Sequence, residues 1–311
     1  MELRRLRFLH ELARRGTIAS VAEALSYSPS SVSVQLAELE REAGTRLLRR
    51  VGRNVALTPA GWRLAEYAER ALSADEAVRA ELAALGDAPR GRVRLTFVQT
   101  PALALLSATL ATLADAAPDL RVEVVQRETA PALEDLRSRA VDVVVGIEYD
   151  AIPVPRHRDV DRRDLIGEDV MLALPVDHPL AASGSPIALA GVEHAVWAAG
   201  HRGSGHSAAV EYVGNRLGGY EPDIRHRSDD GLILRALVSS GQAITVLPAL
   251  IGAATPQVAI RPIADGPLHR TIFTAARVAA VDSPAVTAVR DALGRAALAA
   301  TAGRGDARLV A

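Results

Sequence analysis

The chain has no cysteine, which excludes disulfides, thiolate catalysis and Cys-ligated zinc or iron–sulfur centres. It has no lysine either, so every permanently charged basic side chain is a guanidinium, a bias of composition rather than of function. Aromatic residues make up only 3%, which disfavours stacking on a large aromatic ligand. No stretch approaches the roughly 18 uninterrupted apolar residues needed to span a bilayer. The early charges Arg4, Arg5 and Arg7 lead to Glu11 rather than to the apolar core of a secretory signal. These absences predict a cytoplasmic protein with no membrane partner.

What is present is 311 residues with 49% hydrophobic side chains, enough for substantial cores and for two or three domains. The net charge of −1 does not advertise nucleic acid, but its distribution does. Residues 1–90 hold 14 Arg against 12 acidic residues, and between Arg46 and Arg63 there are five Arg and no Asp or Glu. A local basic strip serves phosphates even in a neutral chain.

Leu3, Leu6, Leu9 and Leu12, with Phe8, form the apolar stripe of a first helix that Gly16 ends. Thr17 caps a short second helix carrying Ile18, Val21, Ala22 and Leu25. Ser28 before Pro29 marks the start of a third, running to about Glu42. Val32, Leu36 and Leu39 face inward there, leaving Ser30, Ser31, Ser33, Val34 and Gln35 on other faces. Small polar side chains and a glutamine on such a helix can reach base edges. Gly44, Leu47, Gly52 and Val55-Ala56-Leu57 predict a two-stranded wing. Thr58-Pro59 opens a helix of some 28 residues, with Leu64, Ala68, Ala71, Asp75, Val78, Leu82 and Leu85 in a near-heptad seam that predicts pairing with a second chain.

Pro89-Arg90-Gly91 marks a boundary. Beyond it, strands at 93–98, 122–125 and 141–147 alternate with helices at 101–117 and 132–139, the pattern of a parallel sheet covered on both sides. A second unit begins near Leu165, with strands at 170–174, 195–199 and 243–247 and helices at 207–217 and 231–239. A returning strand at 270–276, a helix at 284–299 and a loose tail after Gly303 complete the expected order. Crossings near Gly146–Val154 and Pro262–Arg270 would leave a cleft between two lobes, where small ligands usually sit.

Thr100 and its neighbours lie where a strand feeds a helix; the hydroxyl either caps that helix or, with free N–H groups, holds an anion. His201, Ser204 and His206 occupy a Gly-rich loop leading into a helix, ground suited to a carboxylate or other polar ligand. Enzyme motifs fail: Gly203-Ser204-Gly205-His206 lacks the order of a nucleophile elbow. Gly214-Asn215-Arg216-Leu217-Gly218-Gly219 follows a helix rather than a strand, so it is no dinucleotide fingerprint. His157, Asp159, Asp161 and Asp164, interleaved with Arg156, Arg158, Arg162 and Arg163, read as a solvated charged loop and not as a metal cluster. Neither a cofactor nor a metal is expected.

Residues 1–65 resemble the N-terminal domain of LysR-type transcriptional regulators. The resemblance rests on the opening Met1-Glu2-Leu3-Arg4-Arg5-Leu6-Arg7-Phe8, Gly16-Thr17, Ala22-Glu23-Ala24-Leu25, Ser28, Val32-Ser33, Gln35-Leu36 and Leu39-Glu40. Gly44-Thr45-Arg46-Leu47-Leu48-Arg49-Arg50 and Leu57-Thr58-Pro59-Ala60-Gly61 complete it. It implies an α/β protein with an all-α N-terminal part. The expected parts are a winged helix-turn-helix domain (1–58), a long linker and dimerisation helix (59–88), and a two-lobed, periplasmic-binding-protein-like effector domain (89–311). Lobe 1 would take about 91–164 plus 269–300, and lobe 2 about 165–268.

The resemblance also implies a non-enzymatic regulator whose partners are double-stranded DNA, a small-molecule effector, anionic on the loop chemistry above, and RNA polymerase. The assembly would be a homodimer, extended by family likeness to a homotetramer. Pro29, Ser30, Ser31, Ser33, Val34 and Gln35 would read bases, and Arg49, Arg50 and Arg53 would hold phosphates. Pro29-Ser30 stands where the family usually has Gln-Pro, and Val34 where it often has Arg, so one bidentate reader of guanine is missing. Effector contacts carry over to Gln99, Thr100, Pro101, Ala102, Thr129, Gly146 and Ile147. Thr245 joins them through Ser240–Pro248, which matches the family's Gly-to-Leu-Pro segment. Two rivals are a ligand-binding or enzymatic α/β protein that its bundle merely dimerises, and an architectural DNA binder with a vestigial pocket.

Overall fold

The computed structural model describes residues 1–52, 54–86, 88–182, 184–252 and 256–310. The head is built from α1 (Leu3–Arg15), α2 (Ile18–Leu25), α3 (Pro29–Ala43), the antiparallel wing β1 (Leu48–Val51) and β2 (Asn54–Leu57), and the long α4 (Pro59–Ala84). Its helix starts follow the sequence signals. The side chains of Thr17, Ser28 and Thr58 accept hydrogen bonds from the N–H groups of Ser20, Ser31 and Gly61 at 3.0–3.1 Å, and Pro29 and Pro59 open their helices. Leu6, Leu9, Leu12, Val21, Val32, Leu36 and Leu39 close a core with Leu47 and Leu57 from the wing.

The seam of α4 divides. Leu64, Ala68 and Ala71 pack into the head's own core, while Val78, Leu82 and Leu85 remain exposed. Half of the periodicity read as an interchain seam is therefore spent within the chain. Gly61 lets the helix approach the wing, since a Cβ there would lie 2.2 Å from the Leu47 carbonyl oxygen.

After the boundary come β3 (Gly91–Phe97), α5 (Gln99–Ala116), β4 (Leu120–Gln126), α6 (Thr129–Arg137) and β5 (Val143–Tyr149), with β4 and β5 parallel to β3 on either side. The 16-residue β6 (Val160–Pro175) then runs out of this lobe. Beyond it lie β7 (Val196–Ala199), α7 (Gly205–Tyr212) with a following π-helical turn, β8 (Asp223–Arg227), α8 (Gly231–Ser239), β9 (Thr245–Pro248), the single turn α9 (Ala249–Gly252) and β10 (Val258–Arg261). β11 (Leu268–Arg277) returns antiparallel to both β5 and β6, and α10 (Pro284–Thr301) and β12 (Ala307–Leu309) follow. The large sheet runs β10-β6-β11-β5-β3-β4, with β9 and β12 also paired to β6.

Three expectations are corrected here. The first crossing is not at Gly146–Val154: residues up to Tyr149 stay in β5, and the lobes are joined by the paired strands β6 and β11. The charged stretch is a loop only as far as Asp159, because Val160–Asp164 is strand. There Asp161 accepts from Arg290, and the Arg162 guanidinium sits 3.8 Å over the Phe273 ring. The tail is not loose either: Ala307, Arg308 and Leu309 pair with Glu168, Gly167 and Ile166. Among the described residues, no helix is long and apolar enough to cross a membrane, and no group of three or more His, Asp or Glu is placed to hold a metal ion.

The head is clasped to the first lobe by arginines. Arg277, at the end of β11 and 6% exposed, donates to Glu76 of α4 at 2.6 Å, to Asp142 at 2.9 Å, and to the carbonyls of Leu136 and Val141. Arg139 lies 3.4 Å from Glu76 and 3.5 Å from Glu69, and donates to Ser73 at 3.0 Å. From α1, Arg7 reaches the Ser138 carbonyl at 3.3 Å and Arg14 pairs with Glu134.

Inside the head, the His10 ring lies 2.5 Å from Glu69 and 3.5 Å from Glu11, the latter also held by Arg15. Burial alone would lower the His10 pKa, but hydrogen bonds to Glu11 and Glu69 outweigh it and the pKa lies above the ordinary 6.5. Burial likewise pushes Glu69 up, yet His10 and Arg139 overrule it and hold it at about 2. The Glu69 contribution to stability is present above pH 4.5, its ordinary pKa, and is lost as pH falls toward 2. The His10 contribution is complete below pH 6.5 and is lost as pH rises through the raised value. Thermal melts of the full chain should therefore decline from pH 6.5 upward. The decline should be shallower in His10→Leu; an equal slope in both would refute this linkage.

Candidate nucleic-acid interface and ligand cleft

Pro29, Ser30, Ser31, Ser33 and Val34 are exposed on α3, and Gln35 is half-buried beside them. The hydroxyls are already ordered: Ser28 bonds Ser30 at 2.9 Å and Ser31 at 2.8 Å, and Ser33 donates to the Pro29 carbonyl at 2.9 Å. Gln35 accepts from Arg5 at 3.4 Å, a long bond that leaves its amide nitrogen free to donate elsewhere. On β1, Arg49 and Arg50 are exposed and form no ion pair among the described residues. Arg53 lies outside the described residues. A helix face of small polar groups beside unpaired guanidiniums fits a groove flanked by phosphates.

The second site lies between the lobes. One cavity, about 500 Å³ with its mouth, is lined from lobe 1 by Gln99, Thr100, Glu128 and Tyr149, from the other lobe by His206 and Asp229, and by Arg270 of the joining strand β11. A neighbouring one of about 940 Å³ shares Glu128, Ile147 and Tyr149 and is walled by Thr129, Pro131 and the Gly203-Ser204-Gly205 turn.

Thr100 is not a cap. The N-cap of α5 is Val98, without a side-chain bond, and the buried Thr100 Oγ1 has no hydrogen-bond partner. A helix N-terminus with open N–H groups and a spare hydroxyl therefore points into the cleft. Gln99 instead spans the lobes: its amide donates to Asp230 at 2.9 Å and accepts from the Gly231 N–H at 2.5 Å, at the start of α8. That hydrogen bond, with the Leu232 N–H, keeps Asp230 below the usual carboxylate range. Pro101 is buried and Ala102 packs against the core, so both position α5 rather than offer groups to a ligand.

The other expected residues divide. Ile147 lines both cavities. Thr129 is at the second but spends its hydroxyl on Ile147, whose N–H it accepts at 3.0 Å. Gly146 is a packing glycine, since a Cβ there would lie 2.7 Å from the Phe273 ring. Ser204 caps α7 and edges the second cavity. His206 faces the first, but its Nδ1 accepts from the Gly200 N–H and its Nε2 bonds the Val246 carbonyl, both at 2.9 Å. Burial pushes its pKa down, so the ring is neutral. Thr245 is buried and donates to the Ala198 carbonyl at 2.7 Å. His201 is exposed and lines neither cavity.

Sequence reasoning missed the charged residues of the cleft. Arg270, 2% exposed, is held by Glu168 at 2.8 Å through Nε and 2.7 Å through Nη2, and Glu168 also accepts from the Leu250 N–H at 2.9 Å. Glu128 is the N-cap of α6 yet caps nothing, and its side chain has neither a hydrogen bond nor an ion pair among the described residues. Asp229 accepts, among the described residues, only from the His201 N–H, at 2.9 Å. Arg270 was visible as a lone charge between Leu268 and Ile272 in an apolar strand, and the pair Asp229-Asp230 as a helix start.

Two family models match the chain: "Bacterial regulatory helix-turn-helix protein, lysR family" over residues 3–62, and "LysR substrate binding domain" over 86–298. The Hca operon transcriptional activator HcaR of Escherichia coli is 31% identical over 268 residues, covering 85% of this chain and 88% of that protein. The transcriptional dual regulator GltC of Bacillus subtilis is 27% identical over 278 residues, 88% and 89% of the two chains. A probable hydrogen peroxide-inducible genes activator of Mycobacterium xenopi is 35% identical over 177 residues, 57% of this chain and 90% of that one. Among solved structures, a full-length OxyR variant from Pseudomonas aeruginosa shares the fold at a TM-score of 0.64 and 22% identity, with 94% of each chain covered.

Proposed function

Because the chain belongs to the LysR family of DNA-binding transcriptional regulators, which are not enzymes, we propose that its exposed α3 face reads double-stranded DNA and that its interlobe cleft binds the effector. For the DNA half, the support is the pre-ordered serines and Gln35 beside the unpaired Arg49 and Arg50. For the effector half, one observation carries the reading: the buried, partnerless Thr100 hydroxyl at the uncapped start of α5, between the lobes. Arg53, by its place in the sequence, joins Arg49 and Arg50 as a phosphate contact in this reading. The exposed end of α4, with Val78, Leu82 and Leu85, is the surface on which two chains pair, placing two heads on paired half-sites. A homotetramer built from such dimers, acting with RNA polymerase in the cytoplasm, completes the reading.

One relative is named for hydrogen peroxide, but this chain has no thiol to oxidise, so its signal is a bound molecule and not a disulfide. Gel-shift titrations on the DNA upstream of the chain's own gene test the reader. Gln35→Ala should cost about 1–3 kcal/mol and relax preference at one base pair. Arg50→Ala should weaken all sequences alike and lower the salt slope by about one. Binding that ignores both changes, or no saturable binding at low salt, would refute the reader. Footprints unaltered by a molecule shown to occupy the cleft would refute effector control.

A further inference from the structure

The ligand's chemistry is written in the cleft's unspent charges. Arg270 is no free cation: its charge is paired with Glu168, to which Nε donates at 2.8 Å, although Nη2, 2.7 Å from the same oxygen, makes no hydrogen bond there. The neutral His206 ring has both nitrogens on backbone groups. Asp230 is engaged by the Gln99 amide and the Leu232 N–H. What remains is two carboxylates from opposite lobes, Glu128 of α6 and Asp229 before α8, lining one cavity and forming no ion pair among the described residues; the cation that acts on Glu128 is Arg270, already paired with Glu168. Burial, and then repulsion from Asp229, raises the Glu128 pKa, so the two side chains feel one another across the gap. The same cavity holds the opposite requirement at its lobe-1 wall, where Thr100 Oγ1 and the open N–H groups of α5 await an acceptor.

We propose that the effector is a small zwitterion of the amino-acid class, its carboxylate on Thr100 and the α5 N-terminus and its ammonium between Glu128 and Asp229. This rests on the cleft reading above and narrows it, replacing the simple anion expected from sequence. A plain carboxylate would add negative charge beside two unpaired carboxylates in a half-buried space. A plain amine would leave the Thr100 hydroxyl unsatisfied. A zwitterion satisfies both walls, and its ammonium, bonded to one carboxylate from each lobe, draws the lobes together as the Gln99 bridge already does.

The test uses the full-length protein, melted with each of the twenty standard L-amino acids, its deaminated acid and its decarboxylated amine. At least one amino acid should raise Tm where its two single-charge counterparts do not. Calorimetric titration of that amino acid should give a Kd weakened about tenfold or more by Glu128→Gln and by Thr100→Val. Both variants are near-isosteric, and an unchanged ligand-free Tm shows that they fold. Three results would overturn the proposal: no amino acid shifts Tm, a deaminated acid binds as tightly as its parent, or Glu128→Gln tightens binding. An acid that binds in a Thr100-dependent way would sink the zwitterion and spare the cleft. An amino acid indifferent to both substitutions would sink both.

Discussion

Arg270→Met should destabilise the effector domain by about 3–5 kcal/mol, read as a lower denaturation midpoint of the full chain. The size comes from what stays behind. Glu168, 1% exposed, would keep the Leu250 N–H but lose its only charged partner among the described residues, and a buried carboxylate without a counter-ion is among the costliest defects in a folded core. Met fills most of the arginine's volume, so a cavity contributes little. The double variant Arg270→Met with Glu168→Leu should recover much of the loss, because replacing a whole buried pair is often neutral. A double variant no better than the single would mean that the arginine's other contacts, not the charge left on Glu168, set the cost.

Arg277→Met should unfasten the head from the first lobe. It takes a guanidinium from Glu76 and Asp142, leaving them Arg139 at 3.4 Å and the Arg94 N–H at 2.9 Å, and removes donors from the Leu136 and Val141 carbonyls, a loss of about 3 kcal/mol, the low end for a broken buried pair. Arg139, Arg7 and Arg14 still tether the two parts, so the chain should fold but open. Small-angle scattering should report a larger radius of gyration, and limited proteolysis should cut faster near residues 85–90. A compact, protease-resistant variant would show that the remaining arginines suffice.

The head was the most legible part because its signals are local. A cap, a proline and an apolar residue every three or four positions act within one turn, and Thr17, Ser28, Thr58, Pro29 and Pro59 perform as their types suggest. Strands β3, β4 and β5 were legible for a similar reason, being apolar runs between helices. The cleft was not. Arg270 meets Glu168 across 102 positions and Gln99 meets Asp230 across 131, distances at which no local pattern carries information. Charge itself misled: Val160–Asp164 resembled solvent-exposed chain until Arg290 and Glu148, from elsewhere in the fold, answered Asp161 and Arg162. His206 misled in the other direction, since a histidine beside glycines suggests a ligand and here stitches backbone.

The two strands that join the lobes are paired over nearly their whole length, so the lobes do not hang on loose tethers. Their register slips once, where Ile272 faces Ile166 and Phe273 faces Asp164, leaving Leu165 as an extra residue. A bulge of this kind can change its twist without surrendering a rung of the ladder. The freed Leu165 carbonyl accepts the Val310 N–H at 3.0 Å, and β12 lies alongside the next residues of β6. β12 is thus laid against the strand directly beside the bulge, so the join between the lobes is built in part from residues nearly 150 positions further along the chain.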